Sequence, residues 1–193
     1  MRPFDQRLLH AVVGIAGLGG LGSTVAVALA RTGVGRLVVA DFDRVDEGNL
    51  NRQHYFLDQV GRSKVEALTE NLARIDPGVR VDPCTCRLQA QDIPEVFGGV
   101  HVVAECLDRA DQKQMLVETV LSRMSQPVVS VSGLAGYGDS NAIRTRRISK
   151  RLILIGDGAS DIGLGLPLTA GRVWIAAAHQ ANAIVELLLN EIL

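Results

Sequence analysis

Short apolar segments alternate with amphipathic segments along the first two thirds of the chain. The amphipathic segments have helical periodicity and span residues 21–32, 63–75, 93–97 and 112–124. The apolar segments between them have the length and the branched residues of buried strands, at 11–16, 36–40, 79–84, 100–104 and 127–131. This alternation predicts an α/β fold in which a mostly parallel sheet is covered by helices on both faces.

The pattern changes after Ser132. Residues 142–147 and 151–155 are predicted to be two strands joined by a tight turn at Ser149-Lys150. A flexible loop rich in Gly and Asp follows at 156–167, and the chain is helical from about Arg172 to its end. We therefore expect a single domain over residues 1–193, in which the core at 17–131 is followed by a strand pair, a loop and a long C-terminal helix at 132–193.

Composition excludes several classes of partner. The chain has 193 residues with 20 Lys and Arg against 21 Asp and Glu, whereas a nucleic-acid or anionic-membrane partner usually requires a basic excess. Its most apolar segment, 173–193, is interrupted by polar residues, and the N-terminus does not have the pattern of a signal peptide. The three cysteines form no Cys-x-x-Cys pair, which predicts no zinc site and favours a reduced cytoplasmic setting. Cys84 and Cys86 are interpreted as two small apolar side chains on one face of a strand.

A glycine-rich turn lies where the first strand meets the first helix. Its sequence is Gly17-Leu18-Gly19-Gly20-Leu21-Gly22, and Asp41 follows at the end of the second strand. Such glycines allow phosphate oxygens to approach the backbone at a helix N-terminus, and an acidic residue at that distance accepts hydrogen bonds from ribose hydroxyls. The turn therefore predicts a bound nucleotide on a Rossmann-like sheet, without saying which one.

The residues after the second strand distinguish between nucleotides. Residues 41–53 are densely polar, and Arg52 and Lys64 are predicted to reach the mouth of the nucleotide pocket. Two cations beside a phosphate site are suited to a triphosphate, whose charge they neutralise during transfer. An NAD-dependent oxidoreductase needs no such pair and remains the alternative, supported only by the glycine turn and Asp41.

These motifs together resemble the ThiF/MoeB/HesA family, bacterial relatives of the ubiquitin-activating enzymes. The matching segments are 17–22, Asp41-x-Asp43, 49–53, 60–66 and 106–108, with 132–137 and the C-terminal helix as later elements. The resemblance is closest to the short ThiF-like proteins of thiamine synthesis and covers nearly the whole chain. It implies ATP-dependent adenylation of the C-terminal carboxylate of a ubiquitin-like, ThiS-like sulfur carrier, with pyrophosphate as the second product. A molybdopterin carrier or a modified tRNA remains an alternative substrate.

The resemblance also implies a role for each matching residue. Arg52 and Lys64 would grip the triphosphate as catalytic residues, and Asp108 would hold a magnesium ion. The full nucleotide-binding set that it implies is Gly17, Gly19, Gly20, Gly22, Asp41, Asp43, Asn49, Arg52, Gln53, Lys64, Asp108 and Arg109. From the residues alone, Asp108 is equally well explained as the cap of the helix beginning near Arg109.

Two departures from the family bear on the expected activity. Larger members carry two Cys-x-x-Cys pairs for zinc and often a cysteine before the C-terminal helices, and this chain has neither. We therefore expect an enzyme that only adenylates. Family members also pair as homodimers and reach the partner's ATP with an N-terminal arginine, a role that is left open between Arg2 and Arg7. Apolar residues around more than one face of the last helix, among them Trp174 and Leu189, support the expectation of a homodimer.

Other polar residues receive structural interpretations. Cys106 is predicted to be a small buried packing residue and His179 a packed, hydrogen-bonded core histidine, while Asp157 and Asp161 are expected to solvate the loop rather than bind metal. The basic residues at 144, 146, 147, 150 and 151 are expected to lie on a solvated strand pair, with docking of an acidic carrier face as the alternative.

Overall fold

A computed structural model of the chain describes residues 4–192. The described residues form one sheet of seven strands in the order β3-β2-β1-β4-β5-β7-β6. The strands are β1 (Val12–Ala16), β2 (Arg36–Ala40), β3 (Arg80–Cys84), β4 (Val102–Glu105), β5 (Val128–Val131), β6 (Arg144–Arg147) and β7 (Leu152–Gly156). All neighbouring strands run parallel except β6, which pairs antiparallel with β7. The predicted fold class, including the C-terminal strand pair and long helix, is confirmed.

Within residues 4–192, five α-helices cover the two faces of this sheet. They are α1 (Gly20–Thr32), α2 (Lys64–Ile75), α3 (Ile93–Phe97), α4 (Ala110–Arg123) and α5 (Ala170–Leu187), and a π-helical turn at Leu188–Ile192 follows α5. One core cluster lies between the sheet and α1, α2 and α5, and a second lies between the sheet and α3 and α4. No helix among the described residues is long and apolar enough to span a membrane.

The last helix is covered more fully than its sequence predicts. Of the apolar residues expected on several of its faces, Val173, Ile184, Leu187 and Leu188 are buried in the core that α5 shares with α1. Trp174 is 44% exposed, but its indole N–H donates a hydrogen bond to the carbonyl of Arg52 at 3.1 Å. The apolar surface of α5 therefore gives no argument for a dimer, because packing within the chain accounts for most of it.

The sheet has a topological switch point between the adjacent strands β1 and β4. From β1 the chain adds β2 and β3 on one side, and from β4 it adds β5, β7 and β6 on the other. In open α/β sheets, ligands bind at such a switch point, outside the carboxyl ends of the strands. The glycine turn follows β1 directly, and residues 106–109 follow β4 directly. The fold thus brings both segments to the edge where a ligand is expected.

Candidate nucleotide site

A cavity of about 800 Å³ opens at this switch point. Its walls come from the glycine turn, the polar segment after β2, the start of α2, the segment after β4 and the loops after β5 and β7. Of the residues predicted for the site, those that line it are Gly17, Gly19, Gly20, Asp41, Asp43, Asn49, Arg52, Gln53, Lys64, Asp108 and Arg109.

Gly22 is the one predicted site residue that does not line the cavity. A Cβ at this position would lie 1.8 Å from the carbonyl oxygen of Gly17, so Gly22 permits close packing of α1 against the turn. Gly17 has a φ of +89°, which favours glycine. Its backbone also lies close to Cys106, because a Cβ on residue 17 would be 2.7 Å from the carbonyl oxygen of Cys106. Both glycines therefore shape the turn, and Gly22 does so from behind it.

Asp41 directly follows β2, is buried and is fixed by two backbone amides. Its Oδ2 accepts from the N–H of Leu18 at 2.6 Å, and its Oδ1 accepts from the N–H of Asp43 at 2.7 Å. Burial raises the pKa of Asp41, and the positive charge of Lys64 and these two hydrogen bonds oppose that rise. Each carboxylate oxygen has a further lone pair. The side chain can therefore accept additional hydrogen bonds from a ligand in the cavity.

The segment carrying Asn49, Arg52 and Gln53 folds back over the glycine turn. Asn49 Oδ1 accepts from Arg52 Nη2 at 3.1 Å and from Gln53 Nε2 at 2.9 Å, so the three side chains orient one another. Gln53 is buried, and its Oε1 has no hydrogen-bond partner in residues 4–192. Stacking of His54 on Trp174, with ring centroids 5.5 Å apart, anchors the segment to α5. A buried acceptor without a partner beside a cavity is the kind of atom that a bound ligand satisfies.

Lys64 is the first residue of α2, and its side chain is only 7% exposed. Its Nζ lies 2.8 Å from Asp43 Oδ2, while the Asp43 side chain is 49% exposed. A cation at a helix N-terminus is opposed by the helix dipole, so helix stability does not explain this lysine. The pair therefore presents a held ammonium group at the cavity wall.

Asp108 also lines the cavity and is exposed. It does not cap α4: the N-cap residue is Arg109, and no side chain caps this end. Asp108 forms no hydrogen bond or ion pair within the part of the chain that the structure describes, so the capping interpretation of Asp108 is wrong. Arg109 pairs with Asp111 at 3.0 Å.

Sequence reasoning missed a buried polar cluster behind Asp108. Glu105, the last residue of β4, is fully buried and accepts hydrogen bonds from Lys113 of α4 and Ser130 of β5. A glutamate that ends an otherwise apolar strand was the available signal, because a carboxylate in such a place requires partners. Which side chains supply those partners depends on contacts between distant segments.

Two cysteine expectations are settled differently by the structure. Cys84 and Cys86 form a disulfide, and Cys86 lies beyond the end of β3, so the interpretation of both as apolar side chains on a strand face is wrong. On a continuous strand Cys84 and Cys86 would share a face, but β3 ends at Cys84 and the chain bends at Cys86, where the two Cα atoms lie 5.4 Å apart. Cys106 is free and buried, and burial raises the pKa of its thiol. No group of three or more potential metal ligands occurs within residues 4–192.

Several other predicted residues have identifiable surroundings. His179 is only partly buried and shares a 2.9 Å hydrogen bond with Thr145, so its placement in the core is wrong although the hydrogen bond was expected. Arg151 donates to the carbonyls of Leu121 and Met124, and Arg147 pairs with Glu191. Arg7 pairs with Asp5, whereas Arg2 lies outside the described residues.

Comparison with known proteins identifies relatives of the chain. The sequence profile of the ThiF family matches residues 2–150. The molybdopterin-synthase adenylyltransferase of Salmonella typhimurium is 37% identical over 121 residues, which are 60% of this chain and 49% of that protein. The tRNA threonylcarbamoyladenosine dehydratase of Bacillus subtilis is 34% identical over 147 residues, which are 75% of this chain and 58% of that protein. The chain thus spans about half the length of these curated relatives.

Solved structures show the same fold. The crystal structure of E. coli tRNA N6-threonylcarbamoyladenosine dehydratase in complex with AMP matches with a TM-score of 0.85 and 22% identity, over 95% of this chain and 88% of that chain. The same enzyme in complex with ATP matches with a TM-score of 0.82 and 21% identity, over 96% of this chain and 90% of that chain.

Proposed function

Because the chain belongs to the ThiF family, we propose that it uses ATP to adenylate the C-terminal carboxylate of a ubiquitin-like sulfur carrier protein. The observation that carries this proposal is the composition of the cavity at the switch point, where a glycine turn, two cationic side chains and an exposed carboxylate converge. An adenylation site needs each of these groups, because it must bind three phosphates and offset their charge.

ATP would bind with its phosphates at the glycine turn and its ribose at Asp41. Gly19 is the N-cap of α1, so the first amides of that helix face the cavity and would donate to phosphate oxygens. The free lone pairs of Asp41 would accept from ribose hydroxyls. Gln53 Oε1, which has no hydrogen-bond partner in the described chain, would gain a donor from the ligand.

Arg52 and Lys64 would neutralise the charge that develops on the leaving pyrophosphate. In the structure each is held by a neighbour, Arg52 by Asn49 and Lys64 by Asp43. Because both cations are already oriented, little reorganisation is required when the triphosphate binds. Lys64 would then share its charge between Asp43 and a phosphate oxygen.

The residues present fit a magnesium ion at Asp108. This carboxylate lines the cavity without a hydrogen-bond partner in residues 4–192, and no protein-only cluster of three or more metal ligands exists there. Magnesium is usually held by one or two carboxylates together with substrate phosphates rather than by such a cluster. When bound, it would offset phosphate charge beside the cations.

The reaction needs no general base. The carrier's C-terminal carboxylate is ionised at neutral pH, because its pKa is about 3.3–3.7. One of its oxygens would attack the α-phosphorus of ATP, and the bond from that phosphorus to the bridging oxygen of pyrophosphate would break. The electron pair leaves with pyrophosphate, and the carrier acyl-adenylate remains. The protein would contribute orientation and charge neutralisation.

We propose a ThiS-like carrier of thiamine synthesis as the substrate, on the strength of the resemblance to short ThiF-like proteins. A second candidate is a modified adenosine in tRNA, because the matched relative from Bacillus subtilis and the matched E. coli structure are both tRNA dehydratases. The formal net charge of −1 favours a protein substrate over tRNA. A molybdopterin carrier is the third, since one matched relative is named for that synthase.

The experiment that tests the proposal is ATP–pyrophosphate exchange with a panel of substrates. The panel contains a ThiS-like carrier, a molybdopterin carrier and tRNA bearing threonylcarbamoyladenosine, each tested with magnesium. We expect exchange with the ThiS-like carrier and none with the same carrier lacking its last glycine, which moves the carboxylate out of reach. Exchange with tRNA alone would contradict the carrier proposal, and NAD-dependent oxidation without exchange would contradict adenylation.

A further inference from the structure

The turn at 106–109, which carries Asp108 to the cavity, is fixed from behind by the fully buried Glu105. Glu105 Oε1 accepts the backbone N–H of Leu107 at 2.7 Å, and its Oε2 accepts the hydroxyl of Ser130 at 2.6 Å. Lys113 Nζ lies 3.1 Å from both oxygens. One carboxylate thus joins the end of β4, the middle of β5, the turn and the second turn of α4.

Packing alone does not explain a buried, fully hydrogen-bonded carboxylate at position 105. A buried carboxylate is costly unless it is paired and fully hydrogen-bonded, and apolar residues of similar size usually give comparable stability. Here the donors come from α4, which follows the turn, from β5, which neighbours β4 in the sheet, and from the turn itself. The amide of Cys106 is also held, by the carbonyl of Ala16 at 2.9 Å. Asp108 is therefore exposed, but the backbone leading to it is fixed at two successive residues.

We infer that Glu105 and Lys113 are a positioning pair that holds the turn at 106–109 so that the Asp108 carboxylate faces the cavity ready for a divalent cation. The inference rests on the proposed function, which assigns magnesium–ATP to this cavity. In this role Glu105 acts through the Leu107 amide, and Lys113, which also lines the cavity, acts through Glu105. Removing a partner that orients a metal ligand typically costs about 10–100-fold in metal affinity.

The test is ATP binding by equilibrium dialysis, measured once in EDTA and once with magnesium, with no carrier present. The ratio of the two dissociation constants gives the gain due to magnesium. Asp108→Ala is the reference variant and should lose that gain. We expect Glu105→Ala to lose about 10–100-fold of the gain, while its binding of ATP in EDTA stays within about threefold of wild type. A side chain with only a structural role would not change the ratio.

Glu105→Gln distinguishes positioning from charge. The amide oxygen of glutamine can still accept from Leu107, and its NH2 group can donate to Ser130, so we expect most of the magnesium gain to return. Arg147→Ala is the matched control. Arg147 lies on β6 and forms an exposed ion pair with Glu191, and neither residue lines the cavity. This control should have the wild-type dissociation constant in both buffers.

Hydrogen exchange on the ligand-free protein gives a second readout. The Leu107 amide should exchange faster in Glu105→Ala than in wild type and in Glu105→Gln. If Glu105→Ala does not fold, Lys113→Ala serves instead, because it leaves Glu105 with two donors and removes the link to α4; a smaller magnesium gain is then expected. A wild-type magnesium gain in the folded variants would overturn the inference.

The outcomes separate this inference from the proposed function. If wild-type protein binds no ATP in either buffer, both the proposed function and the inference are wrong. If it binds ATP without any magnesium gain, the role of Asp108 and this inference both fail while nucleotide binding stands. If the gain is present and survives Glu105→Ala, the inference alone fails.

Discussion

At the scale of single residues, the cavity wall contains two kinds of side chain. Asp41, Arg52 and Lys64 are each held by neighbours within the chain, whereas Asp108 has no hydrogen-bond partner among the described residues. The held residues are preorganised for the charges and hydroxyls of a nucleotide. The free Asp108 carboxylate is suited to a magnesium ion that arrives with ATP. A substitution of Asp108 should therefore change catalysis without changing stability.

We predict that Asp108→Ala abolishes ATP–pyrophosphate exchange and leaves the fold intact. Metal stabilisation of developing charge is worth several kcal/mol, so the rate should fall by at least about 100-fold. Because the side chain is exposed and unpaired, the free energy of unfolding should change by no more than about 0.5 kcal/mol. Exchange assays and urea titration measure the two effects.

The matched control for Asp108→Ala is Glu95→Ala, which removes an exposed carboxylate on α3 that does not line the cavity. It should keep full exchange activity and wild-type stability. Full activity in Asp108→Ala, with normal unfolding, would remove Asp108 from the mechanism.

The sequence predicts those site residues whose position follows from the ends of strands and helices, and it does not predict contacts between distant segments. Gly17, Asp41 and Lys64 stand at element ends that the hydrophobic pattern predicts, so their convergence at one sheet edge follows from the topology. The partners of Glu105 could not be predicted, because they lie on α4 and β5 and meet only when the helix packs. The Cys84–Cys86 bridge was missed for a related reason, since it depends on a bend after the strand.

We predict that exchange activity survives replacement of all three cysteines. The carrier supplies an oxygen nucleophile, and the Cys106 thiol is buried with a raised pKa beside Gln180, so it is a poor source of thiolate. The variant with Ser at 84 and 86 and Ala at 106 should lose about 1–2 kcal/mol of stability and keep its activity.

The cysteine variant should be assayed after exhaustive chelation with magnesium restored, well below its melting temperature. A folded variant without exchange activity, in which cysteine at 106 alone restores the rate, would mean that adenylation includes a covalent thiol step.

At the scale of elements, the Gly- and Asp-rich loop at 156–167 is held at its start by the last helix. Arg172 of α5 is 7% exposed and donates from Nε to the carbonyl of Ala135 at 3.0 Å, while its Nη2 lies 2.5 Å from Asp157 Oδ2. Composition predicts a flexible, solvated segment, and it could not predict this ion pair because Arg172 lies on another element. Asp157 thus joins two loops at the cavity mouth to α5.

We predict that Asp157→Asn destabilises the protein at neutral pH and much less in acid. Burial raises the pKa of Asp157, but hydrogen bonds from the amides of Ser160 and Ala159 and from Arg172 outweigh it and lower the pKa to about 2. Relative to the ordinary value of 3.8, this shift corresponds to about 2 kcal/mol. The stabilisation is present above pH 3.8 and is lost as the pH falls towards 2.

Urea titrations of wild type and Asp157→Asn at pH 7, 4 and 3 (about one pH unit apart in the acid range) follow this linkage. The difference in unfolding free energy should be largest at pH 7 and shrink below pH 4. Asp161→Asn is the control, because this exposed side chain accepts a hydrogen bond from the Gly163 amide and forms no ion pair within residues 4–192. A difference that does not depend on pH would show that the Asp157 charge contributes nothing.

At the scale of the whole molecule, a symmetric homodimer remains a prediction on the resemblance alone. The apolar faces of α5 are largely covered within the chain, so a dimer must use another surface. Exposed apolar residues at 56, 57 and 60 form a run that such an interface would cover. Sedimentation velocity at micromolar concentration, with and without ATP, measures the mass, and Leu57→Asp should favour the monomer. A monomeric wild type in both conditions would contradict the dimer.

We predict that ATP with magnesium stabilises the whole fold and that NAD does not. The cavity is built from segments that follow β1, β2, β4, β5 and β7, so a ligand that fills it binds only the folded chain. Ligand at 100 times its dissociation constant adds about 2.7 kcal/mol to the unfolding free energy. For a domain of this size, 1 kcal/mol raises the melting temperature by roughly 2–4 °C, so the expected shift is roughly 5–10 °C.

NAD should give little shift, because its diphosphate leaves Arg52 and Lys64 without the third phosphate. Asp41→Asn should reduce the shift with ATP by weakening the ribose contact. A larger shift with NAD than with ATP would favour the oxidoreductase alternative over adenylation.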